Sequence, residues 1–355
     1  MTKVIIGDRH SSPVRSFEAQ SSPALLSVVV PMHNEQDNVA PLLERLTPVL
    51  ERIGMNVEII CVDDGSEDHT LARLKTARLH EQRLKILSLS RNFGKEVALA
   101  AGYSFARGEA IVSMDADLQH PPELIETFVA HWRAGYDMVY GVRRNGHEAS
   151  ATRRLATKAF YRLFAMIAKT TLPQGACDFR LLDRRVVDAL NACTERSRFT
   201  NGLYAWVGFR RLGVPFEVAA RANGHSQWGL FPLWRFAVDA ITSFSMMPLR
   251  IWSYLGVVVS LFALSYGGFI VLRTLILGID VPGYASLITA IMFFSGVQLI
   301  SLGVIGEYLG RVFIEVKRRP LFVVAEEQGF GAPRSVLVEA AGGEPAIAPV
   351  AGKVN

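Results

Sequence analysis

Two long apolar runs near the C-terminus constrain this chain more than any other feature. Ile251 to Leu272 contains no charged residue and, at about 22 residues, is long enough to cross a hydrocarbon layer of roughly 30 Å. Gly278 to Gly283 makes a short turn, and a second uncharged run extends from about Ala285 to Ile305. The two runs predict a transmembrane hairpin over residues 251–310 rather than a buried core hairpin. Arg235 and Arg250 precede the first run and Arg311, Lys317, Arg318 and Arg319 follow the second, whereas the turn carries no Lys or Arg and only Arg273 lies near it. The positive-inside rule then places the large N-terminal domain and both termini in the cytoplasm, on a multi-pass protein of the cytoplasmic (inner) membrane. Phe231 to Met247 is aromatic and amphipathic, so residues 230–250 are expected to rest in the membrane interface.

Upstream of the runs the pattern is that of an α/β domain, residues 24–229. Leu26 to Val30 and Val57 to Val62 are buried-strand runs, Leu84 to Leu89 is a third, and helical patterns follow at Val39 to Ile53 and at Gly94 to Ala106. Strands alternating with helices, with polar residues at the strand ends, predict an open parallel, Rossmann-like sheet whose ligand lies beyond those ends. Residues 1–23 are Ser-rich and read as a flexible extension, residues 311–328 as a basic cytoplasmic segment, and residues 329–355, rich in Gly, Ala and Pro, as a disordered tail.

The stretch Ala110 to Pro122, AIVSMDADLQHPP, carries the clearest chemistry. Its apolar start is a strand that delivers Asp115 and Asp117 to the sheet edge, hard oxygen ligands suited to Mg²⁺ or Mn²⁺. Pro31, Asn34, Glu35 and Asp64 end the neighbouring strands and are placed to hold a nucleotide beside that metal. Arg91 to Glu96 contains a Gly-Lys pair but lacks the earlier glycine of a P-loop, and no GxGxxG follows the first strand, which argues against a kinase, an ATPase or a dinucleotide enzyme. The net charge of +5 suits phosphate-bearing substrates and an anionic membrane, and with spans present these, not nucleic acid, are the expected partners. Basic residues from Arg143 to Lys169, interleaved with Leu155, Phe160, Leu163 and Phe164, fit a helix at the lipid headgroups. Cys61, Cys177 and Cys193 show no metal or disulfide spacing and read as core thiols.

The segments VVVPMHNE, VDDGSEDHT, LSRNFGKEVALAAG, MDADLQHPPELI, DFRLLDRRVVDAL, RFTNGLYAWVGF, ITSFSMMPLR and GEYLGRVFIEVKRRPLF cover Leu26 to Phe322 in order. Together they resemble the membrane-bound family 2 glycosyltransferases that load a sugar onto a polyprenyl phosphate, in particular the two-span bactoprenol glucosyltransferase branch. The resemblance implies a GT-A fold and inverting transfer from a nucleotide-sugar, of UDP-glucose or GDP-mannose type, to undecaprenyl phosphate for envelope glycan modification. It implies Asp115, Asp117 and Gln119 as the metal and diphosphate site and Pro31, Asn34, Glu35 and Asp64 as the nucleotide pocket. By the same resemblance Asp178 is the acceptor-side catalytic residue, and Arg180, Arg221 and Ser226 hold the acceptor phosphate. Because a phosphate acceptor is largely ionised without a base, Asp178 is read as orienting a partner ahead of the alternative that it removes a proton. Two residues depart from the pattern: Cys177 stands where Gly usually precedes DFR, and Gln227 replaces a common Lys after the serine.

The rival readings are a silent membrane-tethered nucleotide-sugar binder and a processive polysaccharide synthase, the latter disfavoured by the missing QxxRW segment and the small number of spans. Small residues in the spans permit packing into a homo-oligomer.

Overall fold

The computed structural model describes residues 5–6, 24–143, 176–193, 195–196, 200–217, 247–277 and 283–331. The expected basic helix after Arg143, the interfacial stretch 231–246 and the Arg221 to Gln227 segment lie outside them. The strands are β1 (Ile5–Ile6), β2 (Leu25–Met32), β3 (Asn56–Asp63), β4 (Leu84–Leu89), β5 (Ala110–Ser113), β6 (Met138–Arg143), β7 (Ala176–Asp183), β8 (Arg211–Phe216) and β9 (Val324–Gln328). They form one sheet in the order β1-β8-β6-β7-β5-β2-β3-β4-β9. The helices are α1 (Val39–Ile53), α2 (Thr70–His80), α3 (Lys95–Phe105), α4 (Leu124–Arg133), α5 (Arg184–Ala192), α6 (Thr200–Trp206), α7 (Met247–Leu277) and α8 (Tyr284–Val316).

The central strands are apolar on both faces because both are covered. Val28 and Val30 of β2 point to one side with Leu42 and Leu46 of α1 and Phe128 and Trp132 of α4. Val29, between them, points to the other side with Ala98 and Ala101 of α3 and Val187 and Leu190 of α5. A strand buried on both sides gives a continuous apolar run such as LSVVV rather than an alternating one. Gly102 lets α3 lie directly on β2, since a Cβ there would overlap the Val29 side chain.

The sheet is mixed rather than parallel. β5, β2, β3 and β4 are parallel, as the alternation predicts. β7 enters antiparallel between β5 and β6, and β9 closes the far edge antiparallel to β4. Polar Asp178 and Arg180 interrupt β7, so its sequence does not present the apolar run by which the other strands announce themselves.

Residues 311–331 are not a free basic segment with a loose tail. α8, at 33 residues, is about 50 Å long, and its stretch Ala290–Val316 is long and apolar enough to cross a membrane. It outlasts the expected span, and the chain then returns to the sheet as β9. Lys75 pairs with Glu326 at 2.6 Å, and Phe330 is buried against Phe105. At the end of α8, the Arg196 backbone N–H donates to Glu315 at 2.8 Å and its side chain donates to the Arg319 carbonyl at 2.6 Å. Ile5 and Ile6, expected to be part of a flexible extension, pair with Leu212 and Gly213.

At the sheet edge opposite the acidic strand ends, buried Glu58 collects three donors: the Ser27 hydroxyl, the Arg107 backbone N–H and the Lys85 ammonium. Burial alone would raise its pKa, but the bonds from Lys85, Ser27 and Arg107 outweigh burial and hold it below the ordinary 4.5. Its contribution to stability is therefore full above the unfolded value and is lost as pH falls through the depressed folded value. Glu58→Ala strands the Lys85 ammonium and is expected to cost about 3 kcal/mol, read by chemical unfolding of the full chain in detergent at pH 7. The gap between the variant and the parent should close as pH falls below 4.

A second weak point is Gly65, at φ +63°. A Cβ there would overlap the backbone of Arg91 and Asn92. The left-handed conformation alone costs a non-glycine residue about 1 kcal/mol or more. Gly65→Ala should lower the unfolding midpoint and part the 64–66 turn from the 91–94 turn, seen as faster proteolysis at Arg91.

Candidate functional site

The C-terminal ends of β2, β3, β4 and β5 open onto a cleft of about 350 Å³ lined by Pro31, Glu35, Asp64, Lys95, Asp115 and Asp117, among others. Six residues from four separate sequence segments meet there because parallel strands end at one edge. Of the nucleotide-pocket residues, Pro31 and Glu35 line the cleft directly. Asn34 is a turn residue: at φ +56° its N–H donates to the Ser66 hydroxyl and its side-chain oxygen accepts from the Glu67 N–H, tying the first strand end to the second. Asp64 borders the cleft, but its carboxylate accepts from the Phe93 and Gly94 N–H groups at 2.8 and 2.9 Å. It is the anchor of the turn that starts α3.

The acceptor-side motif reaches the same place through sheet register. β7 pairs antiparallel with β5, with Ser113 opposite Arg180. The ladder ends there, and Asp115, two residues beyond the end of β5, comes to the same ammonium as Asp178 of β7. The Ser113 hydroxyl donates to the Asp178 carbonyl at 2.7 Å, which fixes the pairing at the strand end. Between the two carboxylates sits the ammonium of Lys95, 2.6 Å from Asp115 and 2.7 Å from Asp178. Sequence reading used the Gly94-Lys95 pair only to reject a P-loop. The available signal was a lysine opening a helix at the sheet edge where three acidic clusters end.

Arg180 is not an open phosphate clamp. It is 3 % exposed, donates to the Cys177 carbonyl and to Asn201 at 2.7 and 2.9 Å, and lies 3.7 Å over the Tyr204 ring. Tyr204 is held in turn by a 2.7 Å hydroxyl contact with Tyr103 of α3. Arg180 stands 3.9 Å from Asp178, so it supports that carboxylate from behind. Cys177, at the departure from the family pattern, is a buried thiol that donates to the Gly141 carbonyl at 3.3 Å.

Burial disfavours charge on Asp178, but the Lys95 and Arg180 cations outweigh it and hold its pKa below the ordinary aspartate value. Asp178 is an anion at neutral pH and a weak proton acceptor. Burial raises Glu35, and the Asp117 and Asp115 charges add to that, against a bond from Asn38. Burial also raises Glu96, next to Lys95, with the Asp178 charge adding to it. His120 is fully buried, stacked on Phe179 and 3.9 Å from Asp115. Burial lowers its pKa despite the Asp115 charge, so it is a neutral ring behind the acidic pair.

The ligand set offered to a divalent ion is oxygen-rich and incomplete. Asp115 and Asp117 face the cleft, and one Asp117 oxygen accepts from the Gln119 N–H at 3.1 Å, which curls the loop. Gln119 itself is 9 % exposed. No three His, Cys, Asp or Glu side chains among the described residues form a ready-made cage. One or two carboxylates that leave positions for substrate phosphates and water are what Mg²⁺ or Mn²⁺ shared with a diphosphate requires, so the residues present fit such an ion.

Residues 27–190 match the glycosyl transferase family 2 model and residues 247–312 match the GtrB C-terminal hairpin. An uncharacterized glycosyltransferase of Synechocystis is 50 % identical over 304 residues, covering 86 % of this chain and 96 % of the relative. The putative glycosyltransferase CsbB of Bacillus subtilis is 40 % identical over 302 residues, covering 85 % and 92 %. The bactoprenol glucosyl transferase of Shigella phage SfV is 37 % identical over 303 residues, covering 85 % and 99 %. With its acid-edged α/β sheet and its long C-terminal hairpin, the chain belongs to glycosyl transferase family 2 and is a glycosyltransferase of GT-A-like fold.

Proposed function

We propose that the protein transfers a hexose, glucose in the first instance, from a UDP-sugar to polyprenyl phosphate with inversion at the cytoplasmic membrane face. The observation that supports this reading is that Asp115, just past β5, and Asp178, in β7, both reach the Lys95 ammonium at one sheet edge. The relatives named bactoprenol glucosyl transferases support the lipid acceptor and the sugar. Asp115 and Asp117, with Gln119, would hold Mg²⁺ or Mn²⁺, which when bound neutralises charge developing on the departing diphosphate. Pro31 and Glu35 line the side of the cleft where the nucleotide is read, and Asn34 and Asp64 shape the turns around it.

The nucleophile needs no strong base. A phosphate monoester has a second pKa near about 6 and is already largely ionised at neutral pH. Asp178, kept anionic by Lys95 and Arg180, orients rather than deprotonates. Arg221 and Ser226 are assigned to the acceptor phosphate, with Arg180 acting through Asp178 and Asn201. In-line positioning then supplies much of the rate.

The hairpin keeps the domain beside an acceptor that cannot leave the bilayer. The return of the chain to the catalytic sheet as β9 after α8 supports a topology in which the end of α8 and the active site share one side of the membrane. With α7 as the other span, both ends of the hairpin face the cytoplasm.

The full chain in lipid with undecaprenyl phosphate and labelled UDP- and GDP-sugars should yield organic-extractable label from one donor, abolished by chelator. Asp117→Asn should reduce transfer by about 100-fold or more. Unchanged lipid-linked product in that variant would remove the metal assignment, and donor binding without product from any sugar would favour a silent binder.

A further inference from the structure

The transfer chemistry above uses Lys95 only to keep Asp178 anionic and leaves its contact with Asp115 without a task. Its ammonium bridges Asp115 and Asp178, the last residues of the donor and acceptor sides, yet it also lines the donor cleft and keeps 44 % of its side-chain surface exposed. A bridge built only for stability would be withdrawn from the substrate. This one lies where an incoming diphosphate and its cation must go.

The backbone of Lys95 is fixed, and its ammonium reaches the two acids on a flexible four-carbon stem. The turn before it is pinned by Asp64 through the Phe93 and Gly94 N–H groups, and α3 is seated on β2 at Gly102. The two ends of the bridge also differ. Asp178 has a second cation, Arg180, locked in place by Cys177, Asn201 and Tyr204. Among the described residues Asp115 has, besides Lys95, the ring of His120 at 3.9 Å. A new cation can therefore replace Lys95 at Asp115 at little loss, whereas Asp178 keeps its compensation throughout. Beside Asp178, Glu96 carries a buried carboxyl oxygen with no hydrogen-bond partner among the described residues.

We propose that Lys95 is a positioning residue that latches the donor half of the site to the acceptor half: in the absence of donor it occupies Asp115, and it yields that carboxylate to a divalent cation arriving with a nucleotide diphosphate. Released from Asp115, its ammonium remains on Asp178 at the entrance for the acceptor phosphate. The empty site consequently resists loading with metal alone, and the donor complex opens it before the acceptor engages. This rests on the metal assignment to Asp115 and Asp117.

The test is Mn²⁺ binding followed by electron paramagnetic resonance on the full chain in lipid, with and without UDP, for the parent, Lys95→Met, Lys95→Arg and Asp117→Asn. The parent should bind Mn²⁺ weakly alone and more tightly with UDP. Lys95→Met should bind Mn²⁺ without UDP about 10-fold more tightly, the scale of about one pKa unit of lost repulsion, and gain less from UDP. Lys95→Arg keeps the charge and should restore the parent's weak nucleotide-free binding. Equal nucleotide-free affinity in the parent and Lys95→Met, with UDP-dependent binding intact and lost in Asp117→Asn, overturns the latch and leaves the metal assignment standing. No Mn²⁺ uptake by the parent even with UDP, or uptake unaffected by Asp117→Asn, overturns both.

Discussion

The antiparallel pairing of β7 with β5 is the constraint on which the rest of the site depends. A wholly parallel sheet would supply carboxylates at its edge but would have to bring the acceptor-side residues in on a loop. Here Ser113 lies opposite Arg180, so the ladder carries Asp178 of β7 to the edge where Asp115 follows β5, and both acids meet Lys95. The side-chain period of a strand is two, so a slip of β7 by one residue would turn Asp178 away from Lys95. Buried Phe179 and Leu181 on one face and Leu182 on the other forbid that slip.

Charge at the site is arranged in depth. Asp115 faces the cleft, Lys95 stands between it and Asp178, and behind come neutral His120 and the locked Arg180 over Tyr204. Buried like charges repel strongly in a medium of low polarity, so the acids are tolerable only with cations interleaved. The same arrangement makes the site responsive to cations delivered with substrate, because one member of the set is tethered by a flexible stem.

The central strands were legible in the sequence because burial on both faces forces long apolar runs. Val39 to Ile53 was readable as a helix to the residue, and Leu84 to Leu89 as a strand. Asp115 and Asp117 were legible because a polar pair ending such a run is conspicuous. β7 was not, since Asp178 and Arg180 interrupt its apolar pattern and its partner lies far away in the chain. Lys95 was given no role for a related reason: its partners are two acids supplied by other segments, and nothing local announces them. The inward turn of Arg180 likewise depends on Tyr204 and Asn201, which the DFR motif does not contain.

The return of the chain to the sheet as β9 bears on how the protein is made. β4 stays an uncapped edge until β9 is synthesised, and both long helices of the hairpin are translated in between. An exposed edge strand is a template for wrong pairing. Completion of the sheet therefore follows emergence of the hairpin from the ribosome, and a chain truncated before β9 would expose both the β4 edge and the seat of Phe330. Biogenesis of the soluble-looking domain is thus coupled, through its last strand, to delivery of the helices that precede it.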